Sequence, residues 1–308
     1  MPVPMAEPQR SQVSAQVSVI VRARDKVDTI GATLSALRRQ TVPAEIVVVD
    51  SGSTDGTLGL ARQWADQVIE LPPGEFSYGR ALNIGAASAT CGIHAALSAH
   101  CVPLTDTWLA DSLRYYRRPD VAATNQADNT PTGQPIRGSY FQSLHDAAVN
   151  PGWGFSNHAS TWLAEVWHEF PFREDLGACE DKEWSWRVLA AGRTIAYSPS
   201  LSVPTVHRRS AGLGPLVDRL SREAETMVSL GAADPLRVSA ALTAWWSSFP
   251  TPGRRPRIIR RANPYRMAEL LGSWRGGRRA RPLSDSSFPK LLAEAGLERS
   301  AWAFMPWS

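Results

Sequence analysis

The sequence predicts an α/β protein in which a mostly parallel sheet is flanked by helices and followed by a helical C-terminal region. Two observations predict the sheet. Short runs of β-branched residues recur early in the chain, and each is followed by a segment with apolar residues at helical spacing. This alternation favours parallel strands because each helix crosses back over the sheet. Helical patterns after residue 211, broken at Pro250–Gly253 and Gly276–Gly277, predict the C-terminal region.

Two βα units begin the alternation. The strand Val17–Val21 precedes a helix predicted over 29–40, and a strand over 45–50 leads through a turn of Ser, Asp, Gly and Thr residues into a helix over 58–65. The next elements repeat this order. They are predicted as strands over 68–71 and 94–97 and as helices over 80–89, 106–116 and 182–191.

The composition indicates a globular protein without a membrane span. Of 308 residues, 43% are hydrophobic and 20% are charged, which suffices for a core. No apolar run approaches the roughly 20 residues of a spanning helix. Residues 1–15 lack the apolar segment of a secretion signal, so we expect a flexible leader and a cytoplasmic protein. The three cysteines suggest no disulfide framework.

Basic charge is concentrated in the last third of the chain. Residues 211–308 contain 15 basic and 8 acidic residues, and ten arginines but a single acid lie within 253–281. Arginine beside tryptophan is typical of segments that contact an anionic membrane, and the same charge would attract nucleic acid. The arginines also suit a simpler role, covering the net-negative surface of residues 1–210. We expect peripheral membrane contact or this covering role, and no nucleic-acid partner.

The candidate site lies at the carboxyl ends of the predicted strands, where ligands of such sheets bind. Residues 22–26, 50–57 and 98–102 follow the first, second and fourth strands. The blocks in and around these segments are VSVIVRARDK, EIVVVDSGSTDGT, SYGRALNIGAASA, ALSAHCVP, PFREDLGACEDKEWSWRVLAAG and TVHRRS. Their order and spacing resemble glycosyltransferase family 2 over about residues 16–210. The chain also resembles the rhamnosyltransferase-like bacterial members, which tend to have a tail similar to NPYRMAELLGSWRGG.

The resemblance implies a Rossmann-like GT-A fold, a nucleotide-sugar donor and transfer with inversion at the anomeric carbon. It divides residues 16–210 into a nucleotide-sugar half over 16–103 and an acceptor half over 104–210, with residues 211–308 as the basic, mainly helical region. Donor-binding candidates are Arg22, Arg24, Asp50, Ser51, Ser53, Arg80, Asn83 and Ser98.

The candidates near Asp50 have a second interpretation. Polar side chains at a strand terminus can hydrogen-bond base and ribose, but Ser53 or Asp55 can equally cap the following helix. Ser51 stands where the family often has a second aspartate, so the identity of the nucleotide base stays open. Arg24 stands where relatives often place an aromatic residue over the base, and a solvated surface arginine is the alternative.

The metal-binding expectation rests on two histidines. Ser98-Ala99-His100 replaces the family's usual Asp-X-Asp, and His207 resembles a later family histidine near the diphosphate. Imidazole suits Mn²⁺ better than Mg²⁺, so we expect Mn²⁺ to be the more effective divalent ion. Without a carboxylate, the ion would depend on diphosphate oxygens, and Arg208 and Arg209 would add positive charge.

Asp181 is the candidate general base because Glu180-Asp181 resembles the family's Glu-Asp motif, whose aspartate removes the acceptor proton. Glu180 would orient the loop or contact acceptor hydroxyls. A carboxylate also stabilises a helix N-terminus, and Glu174 and Asp175 are rival acids. Five tryptophans lie within 34 residues of the acceptor half: Trp153, Trp162, Trp167, Trp184 and Trp186. Most are expected in the core, with Trp153 and Trp184 chosen as acceptor contacts.

These residues predict an enzyme that transfers a hexosyl or deoxyhexosyl group to a glycan, a lipid-linked acceptor or a specialised metabolite. The alternative is a catalytically degenerate GT-A domain that binds sugars or partner proteins. A sugar-phosphate nucleotidylyltransferase is disfavoured because no Gly-rich loop follows the first strand.

Overall fold

The computed structural model describes residues 16–72, 74–205, 212–236, 264–283 and 288–300. The chain forms two compact units. The first contains the described residues of Met1–Ser143, Gly154–Asp175 and Glu180–His207. The second contains those of Leu144–Trp153, Leu176–Cys179 and Arg208–Ser308. Two short segments of the predicted acceptor half therefore belong to the second unit. The predicted leader and the Pro250–Gly253 break lie outside the described residues.

The described part of the first unit contains one eight-stranded sheet. Its strands are β1 Val17–Ala23, β2 Ala44–Asp50, β3 Gln67–Glu70, β4 Ile93–Ser98, β5 Val121–Asn125, β6 Tyr140–Gln142, β7 Ala159–Leu163 and β8 Thr194–Tyr197. Its α-helices are α1 Val27–Arg38, α2 Thr57–Trp64, α3 Tyr78–Ser88, α4 Trp108–Leu113, α6 Ala164–Glu169 and α7 Glu180–Ala190. The helix α5, Leu144–Val149, belongs to the second unit.

The strands follow the order β3-β2-β1-β4-β7-β5-β8-β6. β1 pairs in parallel with β2 and β4, whereas β7 is antiparallel to both β4 and β5. β5 is parallel to β8, and β6 is antiparallel to β8. The carboxyl ends of six strands and the amino ends of β6 and β7 therefore meet at one edge. The predicted fold class, a mostly parallel sheet flanked by helices, is confirmed.

The centre of the sheet is apolar because its strands are covered on both faces. The side chains of Val17, Val19, Ile20 and Val21 in β1 are completely buried. Burial of each such side chain contributes about 1.5–3 kcal/mol to the free energy of unfolding. This core fixes the strand ends from which the polar loops of the site emerge.

Two helix boundaries differ from the predicted ones in ways that matter for the site. α3 begins at Tyr78 because the hydroxyl of Ser77 accepts a hydrogen bond from the backbone N–H of Arg80, 3.1 Å away. α7 begins at Glu180, two residues before the predicted start. Both carboxylates of the Glu180-Asp181 pair therefore belong to the first turn of the helix rather than to the preceding loop.

The described part of the second unit consists mainly of α5, α8 Leu213–Ser229, α9 Pro264–Arg279 and α10 Phe288–Glu294. The predicted break at Gly276–Gly277 is wrong, because α9 continues through both glycines. Gly276 packs against α8 so closely that a Cβ atom there would lie 2.1 Å from the carbonyl oxygen of Ser221. The glycine thus permits helix packing here. None of the described helices is both long and apolar enough to cross a membrane.

Candidate active site

The loops after β1, β2 and β4 are brought together by strand register. Ala23 is paired with Asp50, and Arg22 is paired with Ser98. Three of the segments predicted to form the site are therefore neighbours at one edge of the sheet. The physical reason is that parallel strands place their carboxyl ends side by side.

Asp50 organises its own loop. Its side chain is completely buried, and its Oδ1 accepts hydrogen bonds from the backbone N–H groups of Gly52 and Ser53 at 2.9 and 2.8 Å. The hydroxyl of Ser53 donates to Oδ2. Ser51 donates from its backbone N–H and its hydroxyl to the carbonyl of Ala23, at 3.0 and 3.2 Å. These residues shape the loop, and their contact with a nucleotide stays a prediction.

The loop after β1 is tied to the loop after β2. The backbone N–H of Asp25 donates to the hydroxyl of Ser53 at 2.8 Å, and Asp25 Oδ1 accepts from the N–H of Thr54 at 2.9 Å. Asp25 has a left-handed backbone with φ of 49°, which these bonds help to hold. Arg24 is exposed, and within the described residues its side chain forms no hydrogen bond or ion pair. Its guanidinium is therefore accessible to a ligand.

Asp55, rather than Ser53, serves the start of α2. Its Oδ1 accepts from the backbone N–H of Thr57 at 3.1 Å, and its Oδ2 accepts from the N–H of Val27 at 3.1 Å. The Thr57 hydroxyl, more than these backbone groups, lowers the pKa of Asp55. Gly56 is the N-cap of α2, and Asp55 satisfies the N–H of the first helical residue from the position before that cap, while Ser53 remains part of the loop network.

The turn after β4 is fixed by its backbone. The carbonyl of Ala99 accepts from the hydroxyls of Thr29 and Thr33 at 2.8 and 3.2 Å. Ser98 is largely buried, and His100 is half-buried. His207, Arg208 and Arg209 lie outside the described residues, so the predicted histidine pair is represented by His100 alone.

The described residues do not form a preassembled metal site. Across the described part of the chain, no group of three or more His, Cys, Asp and Glu side chains is placed to hold an ion. His100 supplies one nitrogen donor, and divalent ions such as Mn²⁺ require several more ligands. The residues present therefore fit an ion held mainly by its nucleotide and do not fit one bound by these side chains alone.

The carboxylates of Glu180 and Asp181, in the first turn of α7, meet residues from β1 and from the loop before β7. Asp181 is half-buried, and its Oδ1 and Oδ2 accept from the backbone N–H groups of Lys182 and Asn157 at 2.8 and 3.3 Å. Glu180 is 5% exposed. Its Oε1 accepts from the side-chain amide of Asn157 at 3.4 Å and lies 3.6 Å from Nη1 of Arg22. Asp181 thus remains partly accessible beside a buried carboxyl group.

Burial is the main cause of an elevated pKa at Glu180. The negative charge of Asp181 raises this pKa further, whereas Arg22 and the amide of Asn157 lower it, and the net effect is a pKa of about 7. Two adjacent carboxylates in different surroundings can hold different protonation states at neutral pH.

Lys182 fastens α7 to the loop that carries Asn157. Its ammonium donates to the backbone carbonyls of Gly154 and Phe155 at 2.9 and 2.6 Å. The position of Asn157 relative to Asp181 therefore depends on both the helix and the loop.

Two predicted donor contacts have partners within the protein. The amide of Asn83 donates to the carbonyl of Phe172 and to Glu174, and its oxygen accepts from the indole of Trp167 and the N–H of Phe172. These bonds clamp α3 to the segment after α6, and the donor role of Asn83 stays a prediction. Arg80 forms ion pairs with Glu75 and Glu174 at 2.6 and 3.3 Å, and its donor role stays a prediction.

The rival acids are already engaged. Glu174 pairs with Arg80, and Asp175 pairs with Arg173, whose guanidinium lowers the pKa of Asp175. A base needs a carboxylate that is accessible to the acceptor hydroxyl. These ion pairs favour Asp181 over both rivals.

Trp184 is a core residue, which corrects the prediction that it contacts the acceptor. It is completely buried, its indole N–H donates to the carbonyl of Phe170 at 2.6 Å, and its ring packs against Phe155 and Phe172 with centroids 4.8 and 5.3 Å away. Trp153 is half-buried in the second unit, where its backbone N–H donates to the carbonyl of Asn150. Its acceptor role stays a prediction.

Sequence reasoning missed Asn157 and Tyr78. Asn157 reaches the site because β7 is antiparallel to β4, which brings the start of β7 to the edge where β4 ends. The ring of the exposed Tyr78 lies 5.6 Å from the guanidinium carbon of Arg22 and packs edge-on against Phe76. The tyrosine of SYGRALN is recognisable in the sequence as an aromatic residue beside a predicted helix. Nothing in the local sequence indicates that Tyr78 lies near Arg22 or that Asn157 lies near Glu180 and Asp181.

Comparisons with known proteins agree with this architecture. Residues 18–162 match the family model described as glycosyl transferase family 2. No curated protein matches the sequence. A mannosyltransferase from Pyrobaculum calidifontis, solved with GDP-Man and Mn²⁺, is similar with a TM-score of 0.54 and 20% identity, covering 94% of this chain and 79% of that chain.

Two further solved structures share the fold. S. aureus TarS 1–349 with UDP-GlcNAc has a TM-score of 0.54 and 16% identity, covering 75% of this chain and 71% of that chain. Glucosyl-3-phosphoglycerate synthase from Mycobacterium tuberculosis, in complex with phosphoglyceric acid, has a TM-score of 0.52 and 16% identity. In that comparison 71% of this chain and 85% of that chain are covered. At these identities the likeness establishes a shared fold.

Proposed function

We propose that this chain, whose residues 18–162 belong to glycosyltransferase family 2, transfers a sugar from a nucleotide diphosphate to an acceptor hydroxyl with inversion. The observation that carries the proposal is the position of Asp181. It is a half-buried carboxylate near the edge where the carboxyl ends of β1, β2 and β4 meet, held by two backbone N–H groups. A positioned carboxylate of this kind is what removal of a hydroxyl proton requires.

The reaction is a single displacement. The acceptor oxygen attacks the anomeric carbon as Asp181 takes its proton, and the bond from that carbon to the phosphate oxygen breaks. The nucleoside diphosphate departs with the bonding electrons. Attack opposite to the departing group inverts the anomeric carbon. Asp181 contributes by holding the proton acceptor in place, since orientation of a reacting group lowers the barrier.

The donor would bind over the linked loops after β1 and β2. Asp50, Ser51 and Ser53 form the wall there, and the accessible guanidinium of Arg24 is suited to stack on a base or pair with phosphate. Relatives with this fold were solved with GDP-Man and with UDP-GlcNAc, so either base is compatible with the proposal. The transferred group is proposed to be a hexose or deoxyhexose, rhamnose included.

A divalent ion bound with the diphosphate would neutralise charge on the departing group. His100 is the described side chain that would reach it, and Mn²⁺ is the proposed ion because of this nitrogen donor. Ser98, two residues earlier, is largely buried and would contact the donor through its hydroxyl.

The acceptor is proposed to be a glycan, a lipid-linked molecule or a specialised metabolite, and the second unit is proposed to contact an anionic membrane. On α9, Met267 and Leu271 are 45% and 46% exposed and lie four residues apart, on one face of the helix. Arg278 is exposed nearby and stacks on Trp274 at 5.3 Å. An exposed apolar pair beside arginines suits attachment to an anionic surface.

Vesicle sedimentation tests the membrane contact. We expect more protein to sediment with anionic than with neutral vesicles, and replacement of Met267 and Leu271 by Gln to weaken this binding. Leu104, which is 77% exposed in the first unit, offers a matched control as Leu104→Gln. The membrane proposal is contradicted if the Met267 and Leu271 variant sediments as much as the unmodified chain, or if the chain binds anionic and neutral vesicles equally.

The catalytic proposal is tested by thermal stabilisation and product formation with GDP-, UDP- and dTDP-sugars. A nucleotide that binds only the folded chain raises its melting temperature with concentration. Hydrolysis of the same donor or transfer to an acceptor supports an enzyme. Stabilisation without any turnover, with or without Mn²⁺, supports the alternative of a degenerate sugar-binding module.

A further inference from the structure

Arg22 and Asn157 connect the end of β1 to the start of α7. One guanidinium nitrogen of Arg22, Nη2, donates to the backbone carbonyl of Asn157 at 2.8 Å, and the other, Nη1, faces Glu180 at 3.6 Å. Asn157 is 1% exposed. Through its backbone N–H it also contacts Asp181, and through its amide it contacts Glu180. Four residues from three separate segments of the chain therefore share one network.

The contacts of Arg22 suggest a role other than the predicted donor binding, although its backbone lies beside Ser98. The side chain of Arg22 is 13% exposed, and its Nε and Nη1 atoms are buried without a hydrogen-bond partner in the described structure. The 3.6 Å between Nη1 and Oε1 of Glu180 is too long for a hydrogen bond but short enough for an ion pair. A buried cation is stabilised by a nearby anion, and the carboxylate of Glu180 can supply that negative charge.

We propose that Arg22 and Asn157 are positioning residues, which hold Glu180 and Asp181 in the arrangement needed for proton removal. The inference rests on the proposed function, because it treats Asp181 as the base. Arg22 acts through its charge on Glu180 and through the carbonyl of Asn157. Asn157 acts through its N–H on Asp181 and its amide on Glu180.

The charged groups that face Glu180 can be separated experimentally. They are Asp181 on its own helix and Arg22 on β1, while the ammonium of Lys182 is bound to backbone carbonyls of the loop before β7. Asp181 disfavours ionisation of Glu180, and Arg22 and Asn157 favour it. Loss of either favourable partner should therefore make Glu180 harder to ionise.

The test measures the free energy of unfolding of the full chain against pH, without substrate. Glu180 has a folded pKa near 7 and an ordinary value of 4.5. Between these values the folded chain holds a proton that the unfolded chain has lost, so stability falls as pH rises. Glu180→Gln removes this slope and thereby identifies it.

We expect Arg22→Gln to move the upper end of this pH window upward by about one unit or more, since an opposite charge at this distance is worth that much. Asn157→Ala should shift it in the same direction by less, and Arg22→Lys should restore part of the charge effect. The matched controls are Arg38→Gln and Gln40→Ala. Arg38 is a half-buried arginine paired with Asp66 and a backbone carbonyl, and Gln40 is a buried amide bonded to backbone groups. Both control variants should be less stable than the unmodified chain, but the upper end of the pH window should stay where it is.

Transfer kinetics provide the second readout. Arg22→Gln and Asn157→Ala should lower kcat about tenfold or more and leave the donor KM nearly unchanged, because the groups they affect act on the base. A raised donor KM with an unmoved pH window would overturn the inference and return Arg22 to donor binding. Behaviour like that of the controls would reduce both residues to a structural role. Failure of the proposed function itself would give a different result. The chain would not bind a nucleotide-sugar donor, but Arg22→Gln would still shift the pH window of stability.

Discussion

The backbone N–H of Asn157 lies 3.3 Å from Oδ2 of Asp181 and donates a hydrogen bond to it. The contact joins the start of β7 to the first turn of α7, so the candidate base is oriented by a residue 24 positions earlier in the chain. A backbone donor is insensitive to the identity of its side chain. The orientation of Asp181 therefore depends on the path of the loop through Asn157.

The base assignment predicts that Asp181→Asn reduces sugar transfer about 100-fold or more while nucleotide affinity stays nearly intact, because general base catalysis is typically worth that factor. Calorimetry measures the affinity and product formation measures the turnover. Glu174→Gln is the control, since Glu174 is paired with Arg80. Near-normal turnover in Asp181→Asn would transfer the base role to another carboxylate.

The metal assignment predicts that Mn²⁺ supports transfer better than Mg²⁺ and that His100→Ala weakens donor binding and turnover together. His100→Asp should restore activity and shift the preference toward Mg²⁺, because Mg²⁺ prefers oxygen ligands. Full activity in a chelator, with His100→Ala unaffected, would exclude this assignment.

His94 predicts acid destabilisation. The side chain is 2% exposed, and desolvation, aided by the nearby His168, lowers its pKa from 6.5 to about 4. Below pH 6.5 the unfolded chain binds a proton that the folded chain does not, so stability contributed by neutral His94 is lost as pH falls from 6.5 to 4. The loss should reach roughly 3 kcal/mol.

Unfolding of His94→Gln in denaturant, measured across this range, tests the assignment. The variant should lose stability at neutral pH through poorer packing but should show a smaller decline toward pH 4. His145→Gln is the control because His145 is exposed. An unchanged acid slope in His94→Gln would show that another group causes it.

Replacement of glycine by alanine should change stability in opposite directions at Gly79 and Gly59. At Gly79 a Cβ atom would lie 2.1 Å from the carbonyl oxygen of Arg173, so Gly79→Ala should destabilise the first unit by several kcal/mol. Gly59 in α2 has no atom within 4 Å of a Cβ position. Gly59→Ala should therefore stabilise by up to about 1 kcal/mol, since alanine favours helix. Thermal unfolding measures both, and equal effects would contradict the close contact of α3 at Arg173.

Much of the fold was predictable because its signals are local. The buried run of β1 and the polar residues after Asp50 predict strands and loops wherever they occur, since strand pattern depends on neighbours within a few positions. The Glu180-Asp181 pair was recognisable because it resembles the family's Glu-Asp motif. The start of α7 was placed two residues late because the preceding residue, Cys179, has a left-handed φ of 57° that no sequence pattern indicated.

The sequence by itself determined the alternation of strands and helices, the edge of the sheet where polar loops gather, and the carboxylate pair that a base requires. Only the tertiary structure decided that Trp184 packs in the core, that Asn83 clamps α3 to the segment after α6, and that Arg22 faces Glu180. The reason is physical. Periodicity and turn chemistry act over a few residues, whereas these contacts join positions 14 to 158 residues apart and depend on the order and direction in which the strands pair.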